Sequence, residues 1–165
     1  MNKLVSCALL AITLLSDAAP AAKAEPLGAG NAAFNRGDYN RAAQLLLPAA
    51  ERGNARAQGL VGFMYATGQG LPQSYDAAAY WYRLSAEQGN TTAQYLLGLA
   101  YDKGQGVPAD DVAAYKWLNL AAARAPKPLR ENYARLRNAV ASKMSRGQIE
   151  AGQWHALRWP SDSPF

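Results

Sequence analysis

Apolar residues recur every three or four positions along most of this chain, and that spacing predicts helices. Ala57, Leu60, Val61, Met64 and Tyr65 form one such stripe; Ala93, Leu96, Leu97, Ala100 and Tyr101 form the same stripe 36 positions later. Asn54 or Asn90 precedes each run, and an asparagine oxygen can accept from the free N–H groups of a first helical turn. Gly68 or Gly104 then falls where a left-handed residue ends a helix. Pro72 and Pro108 prevent continuation, and Ser74 and Asp110 suit the N-cap of a second helix. That second helix carries Ala78, Trp81 and Ala86, or Ala114, Trp117 and Ala122. Gly89 can end it, and Asn90 opens the next unit.

The match is a sequence repeat. Residues 57–90 laid on 93–126 agree at 14 of 34 positions, including Gly62/Gly98, Tyr65/Tyr101, Gly68/Gly104, Gly70/Gly106, Pro72/Pro108 and Trp81/Trp117. GQGLP and GQGVP read as the hinge of a helical hairpin, with the second glycine leaving the loop free to turn. One hairpin cannot bury both faces, whereas stacked hairpins can. Gly62, Gly98 and the alanines allow close helix approach, and Trp81 and Trp117 are expected to fill the gaps. A weaker copy precedes these two: Leu45–Asn54 mirrors Trp81–Asn90, Ala29–Asn35 could be its first helix and Gly37-Asp38 its turn. It lacks the GQGxP loop, and Pro48 should kink its second helix. Beyond the repeats, Leu129, Tyr133, Leu136, Val140 and Met144 mark one more helix stripe. Ser145 and Gln148 form a capping-box pair for a last helix. Helices over 128–143 and 146–158 are therefore expected to close the stack.

The motif A-Q-x-L-x-G-x-x-Y-x-x-G-Q-G-x-P, followed by A-A-x-x-W, resembles the Sel-1-like repeat, a tetratricopeptide relative with longer units and a glycine-marked loop. It covers Ala55 to Arg124 well and Ala32 to Asn54 in part; the ending, from KWLNLAAARA through KMSRGQIEAGQW, is similar to the close of many bacterial members. The resemblance implies an all-α, right-handed α-solenoid of antiparallel hairpins with a C-terminal capping hairpin, and a role in assembling proteins. Some exported bacterial members are implicated in signalling control, envelope assembly or host contact. A cysteine-rich branch is linked to β-lactam binding or hydrolysis; this chain lacks those cysteines, so that activity is not carried over.

The first 24 residues change the picture of where the protein works. Lys3, an apolar run from Leu4 to Leu15 and the small-x-small sequence Ala22-Lys23-Ala24 make the layout of a signal peptide cleaved after Ala24. The run is too short to span a bilayer. Leu4-Val5-Ser6-Cys7 looks like a lipoprotein box but comes too early in the chain. The expected organisation is a signal peptide over 1–24, a degenerate repeat over 25–54, repeats over 55–90 and 91–126, capping helices over 127–159 and a tail over 160–165. A periplasmic or secreted location follows. Cys7, the only cysteine, would leave with the signal, so no disulfide is expected.

Charge is uneven. Glu25–Ala123 holds 7 basic and 8 acidic residues, whereas Arg124–Phe165 holds 8 basic and 3 acidic. A basic C-terminal segment in an exported chain points to acidic proteins, anionic polymers or membrane surfaces rather than nucleic acid, or to a merely solvated helix face.

Catalytic signals are sparse. His155 is the single histidine, and no HExxH, GxSxG, SxxK or GxxxxGK[ST] arrangement occurs. The GxG of the loops has neither a preceding strand nor a third glycine, so a phosphate cradle is rejected. Asp110-Asp111 sits at a helix start, where acids favour the positive end. No enzyme activity, metal or cofactor is expected, a hydrolase being the distant alternative. The first helices carry a second stripe, however, with Gly59, Phe63 and Ala66 in one unit and Tyr95, Leu99 and Asp102 in the next. First helices line the concave face of related solenoids. Phe63, Tyr95, Leu99 and Asp102 are therefore the candidate partner-binding residues, the competing reading being that they are core. The expected function is an exported scaffold or adaptor that binds a protein partner; the alternative is a binder of an anionic envelope polymer through Arg130, Arg135 and Arg137.

Overall fold

A computed structural model describes residues 25–162, so the expected signal peptide lies outside the described residues. Among those described, eight helices follow one another without a strand: α1 (Glu25–Asn35), α2 (Tyr39–Glu51), α3 (Ala55–Thr67), α4 (Tyr75–Glu87), α5 (Thr91–Lys103), α6 (Asp111–Arg124), α7 (Lys127–Ala141) and α8 (Arg146–Asp162). Helices α1 and α2, α3 and α4, and α5 and α6 pair as hairpins, and each hairpin rests on the next through α2 on α3, α4 on α5 and α6 on α7. The result is an α-solenoid. Both α7 and α8 pack on α6, which makes α6 the common support of the C-terminal cap. Helix α1 begins four residues before the expected Ala29, α2 runs unbroken across the exposed Pro48, and α8 continues past Pro160 to Asp162.

Local chemistry sets the helix ends. The Asn54 side chain accepts from the Ala57 N–H at 2.9 Å, and Asn90 accepts from Ala93 at 3.0 Å. Ser74 accepts from Ala77 at 3.2 Å, and Asp110 from Val112 and Ala113 at 2.9 and 3.0 Å. Ser145 and Gln148 make the reciprocal box: the Gln148 N–H donates to Ser145 Oγ and the Ser145 N–H to Gln148 Oε1. Gly68 and Gly104 end α3 and α5 in the left-handed region, with φ of 71° and 65°.

The second glycine of each loop does more than turn. Gly70 and Gly106 also have positive φ, 74° and 71°, and each lies flat against backbone at the start of the preceding second helix. A methyl group at Gly70 would collide with the Tyr39 carbonyl, and one at Gly106 with the Tyr75 carbonyl. The loop is therefore a contact between neighbouring hairpins.

Close approach within each hairpin is real, but a different side chain fills it. A methyl group on Gly62 would lie 2.7 Å from the Tyr82 ring, and one on Gly98 2.7 Å from Leu118. The expected gap-fillers, Trp81 and Trp117, sit one position earlier and so point elsewhere. Trp81 packs on the core of α1, α2 and α3, and Trp117 on a core drawn from α4, α5, α6 and α8. A further tie comes from the Gln of the A-Q motif. Gln58 and Gln94 are buried, and their amides donate to Ala50 O and Ala86 O in the last turn of the preceding hairpin, at 3.1 and 3.2 Å.

Candidate functional site

The four candidate residues share the first-helix side of the array but not one environment. Phe63, half-buried on α3, meets Phe34 of α1 edge-on at 5.7 Å. Tyr95, half-buried on α5, stacks on the buried Tyr133 of α7 at 4.3 Å. Each ring is thus a bridge to a neighbouring first-type helix, which is how aromatic pairs add to packing beyond area alone. Asp102 is held by Lys143 at 2.7 Å, and the same ammonium reaches Asp111 at 2.9 Å. This ion pair joins the α7–α8 turn to the end of α5 and the start of α6, and the two carboxylates raise the Lys143 pKa. Asp102 is therefore committed inside the chain.

Leu99 differs from these three. It lines a crevice of about 100 Å³ between the α3–α4 hairpin and α5, with Ala66, Tyr75, Tyr82 and Leu96 around it and Lys103 and Gln105 also in its lining. Tyr75 stands 43% exposed there. Burial pushes the Tyr82 hydroxyl well above its ordinary range. The lining is apolar with one cation, suited to an apolar side chain flanked by an acceptor.

Most of the basic C-terminal residues meet partners within the chain. Arg130 donates to Ala125 O, Arg135 to Asn132 and Arg137 to Asn119 and Asn138. Lys143 is paired as above, and Arg146 pairs with Glu150 at 2.9 Å. Arg124 and Arg158 lie over the rings of Trp159 and Trp154. His155 is exposed, its ring edge-on to Trp154 at 5.2 Å. Among the described residues no group of three or more His, Cys, Asp or Glu is placed to hold a metal, and no helix is long and apolar enough to cross a membrane.

One contact was not foreseen from the sequence. Trp159, near the end of α8, lies against Trp117 at 6.2 Å, beside the Gly89 turn and under the Arg124 guanidinium at 4.8 Å. Ala156, one turn earlier, is buried in the same core. A tryptophan and a small residue at i and i−3 were the available signal, but nothing in the spacing named their partner.

The relatives agree with this geometry. The Sel1 repeat model matches residues 34–54, 55–90 and 91–125. A crystal structure of a protective antigen present in uropathogenic Escherichia coli strains, displaying an SLR fold, superposes with a TM-score of 0.76 at 25% identity, over 85% of this chain and 30% of its own. A Sel1 repeat protein from Oxalobacter formigenes superposes with a TM-score of 0.64 at 30% identity, over 82% of this chain and 53% of its own. The chain thus spans from under a third to about half the length of these neighbours. No curated protein matches it. Three matched units, their capped hairpins and the shared solenoid geometry make the chain a member of the Sel1 repeat family.

Proposed function

We propose that this protein is an exported, non-catalytic scaffold that binds a protein partner through the first-helix side of its array. The observation that carries the reading is the crevice around Leu99. It opens at a junction between consecutive hairpins, its walls are apolar, and Tyr75 stands partly in solvent beside it. A partner side chain entering there would leave water for an apolar wall while a neighbouring acceptor meets Lys103. Phe63 and Tyr95 then act as struts that keep adjacent first-type helices in register.

The test is direct binding. The partner captured from the native envelope is identified, purified and titrated against the wild type, Tyr75→Ala and Leu99→Lys. Tyr75 is exposed enough that its truncation should shift stability by no more than about 0.5 kcal/mol. Leu99→Lys keeps its stem against the wall and puts its charge at the rim. Loss of an anchor weakens affinity by roughly 30-fold or more, the equivalent of about 2 kcal/mol. Unchanged affinity in both folded variants would move the partner surface off this face.

Export is supported by the basic start, the apolar run and the Ala22-Lys23-Ala24 pattern. A neighbour described as a protective antigen is in keeping with exposure outside the cell. Intact mass of the chain recovered from the envelope should begin at Glu25. A species retaining the first 24 residues, or carrying lipid on Cys7, would contradict it.

A further inference from the structure

The two long repeats act as controls for one another, because only one of them is covered by α8. Trp159 of α8 sits in a notch with three parts: the Trp117 ring as floor, the Gly89 turn as one wall and the Arg124 guanidinium as lid. Thirty-six residues earlier the same parts are Trp81, Gly53 and Gln88. Among the described residues nothing occupies that earlier notch in the manner of Trp159. A methyl group at Gly89 would touch Trp159 at 3.8 Å, whereas one at Gly53 meets nothing within 4 Å. Trp117 and Leu120 are 6% and 7% exposed, while Trp81 and Leu84 in the equivalent places are only half-buried. Gly53 is exposed where Gly89 is half-buried.

The lid residue also differs. Gln88 donates to the Oε1 of buried Gln58 at 2.7 Å. Its counterpart Arg124 is turned onto Trp159 instead, and the Oε1 of the fully buried Gln94 is left with no partner. Docking a tryptophan thus competes with satisfying the glutamine beneath it, and the first notch is in the undocked arrangement.

We infer that the notch of Trp81, Leu84, Gly53 and Gln88 is a docking site for an amphipathic helix of a partner protein, one presenting a small residue and, three positions later, a tryptophan. Ala156 and Trp159 are that pair in α8, and the Trp117–Leu120–Gly89 surface they meet has its counterpart in Trp81, Leu84 and Gly53 on the repeat before it. The chain's own α8 is already seated on Trp117, and the occupant is therefore assigned to another molecule. The inference shares with the proposed function only the premise that the array binds protein. It concerns another surface, so its failure leaves the Leu99 crevice untouched.

The probe is a synthetic peptide of residues 145–162, stapled into a helix on the face opposite Ala156 and Trp159. It is titrated into the full-length chain with its indole N–H groups labelled. The Trp81 indole resonance should move saturably while those of Trp117 and Trp159 stay in place. A peptide with Trp159→Ala should bind at least about 30-fold more weakly. Gln88→Arg in the protein should tighten binding about 2- to 5-fold by supplying the cation over the indole. No saturable shift of Trp81, or equal binding by the Trp159→Ala peptide, overturns the inference. So do shifts confined to Trp117 and Trp159, which would mean exchange with the chain's own α8. A concentration-dependent dimer of the peptide-free chain that moves Trp81 would assign the notch to a second copy and equally overturn it.

Discussion

Adding one methyl group at Gly106 is expected to destabilise the protein by about 2–4 kcal/mol, far out of proportion to its size. Roughly 1 kcal/mol comes from forcing an alanine into the left-handed region at φ 71°. About 1–3 kcal/mol more comes from pressing the new carbon into the Tyr75 carbonyl, since backbone cannot step aside as a side-chain tip can. Gly70→Ala should behave alike against Tyr39. Gly104→Ala is the control. Its φ of 65° carries the same conformational penalty, yet its methyl would meet Ala109 Cβ at an ordinary 3.4 Å, so about 1 kcal/mol is expected. Urea unfolding of the three variants decides it. Equal midpoint shifts for Gly104→Ala and Gly106→Ala would show that the loop does not rest on the neighbouring hairpin.

Trp117→Ala should cost about 3–5 kcal/mol, the range for emptying a buried indole site. The ring is 6% exposed and shares its core with Tyr82, Ala93, Leu97 and Trp159, side chains from three other helices. Its loss removes the floor under Trp159 as well, so α8 should loosen before the rest of the array unfolds. Hydrogen exchange in α8 should rise in this variant well before global unfolding. Trp81→Ala, at a half-buried site with no α8 above it, should cost less. If the two cost the same, the cover that α8 provides contributes nothing to the difference between the repeats.

Much of the hairpin plan was legible in the sequence because it depends on neighbours in the chain. A cap is read from one side chain and an N–H two or three residues on: Asn54, Asn90, Ser74, Asp110 and the Ser145–Gln148 pair all act as their spacing implied. The left-handed glycines follow from the same local logic. The site was less legible because its residues are decided by what comes from far along the chain. Tyr95 and Phe63 meet the expected helical stripe, but their environments are set by Tyr133 and Phe34. Asp102 looked available until Lys143, 41 residues later, closed on it. Tyr75 and Lys103 join Leu99 only because two hairpins abut. The burial of Gln58 and Gln94 ran against residue type; their repetition at the same register was the clue that an amide was needed there.

The seat of Gly70 and Gly106 on a bare carbonyl bears on how such a chain could grow. A contact that asks only for a peptide group makes no demand on the identity of the side chain it rests on. A duplicated block of 36 residues would find its seat ready-made on whichever block came before it, while residues elsewhere drifted. The loop lettering, by contrast, has little room to drift, because any side chain at the second glycine strikes the neighbour. That unequal freedom accounts for GQGLP and GQGVP staying nearly alike in two copies that now agree at only 14 of 34 positions.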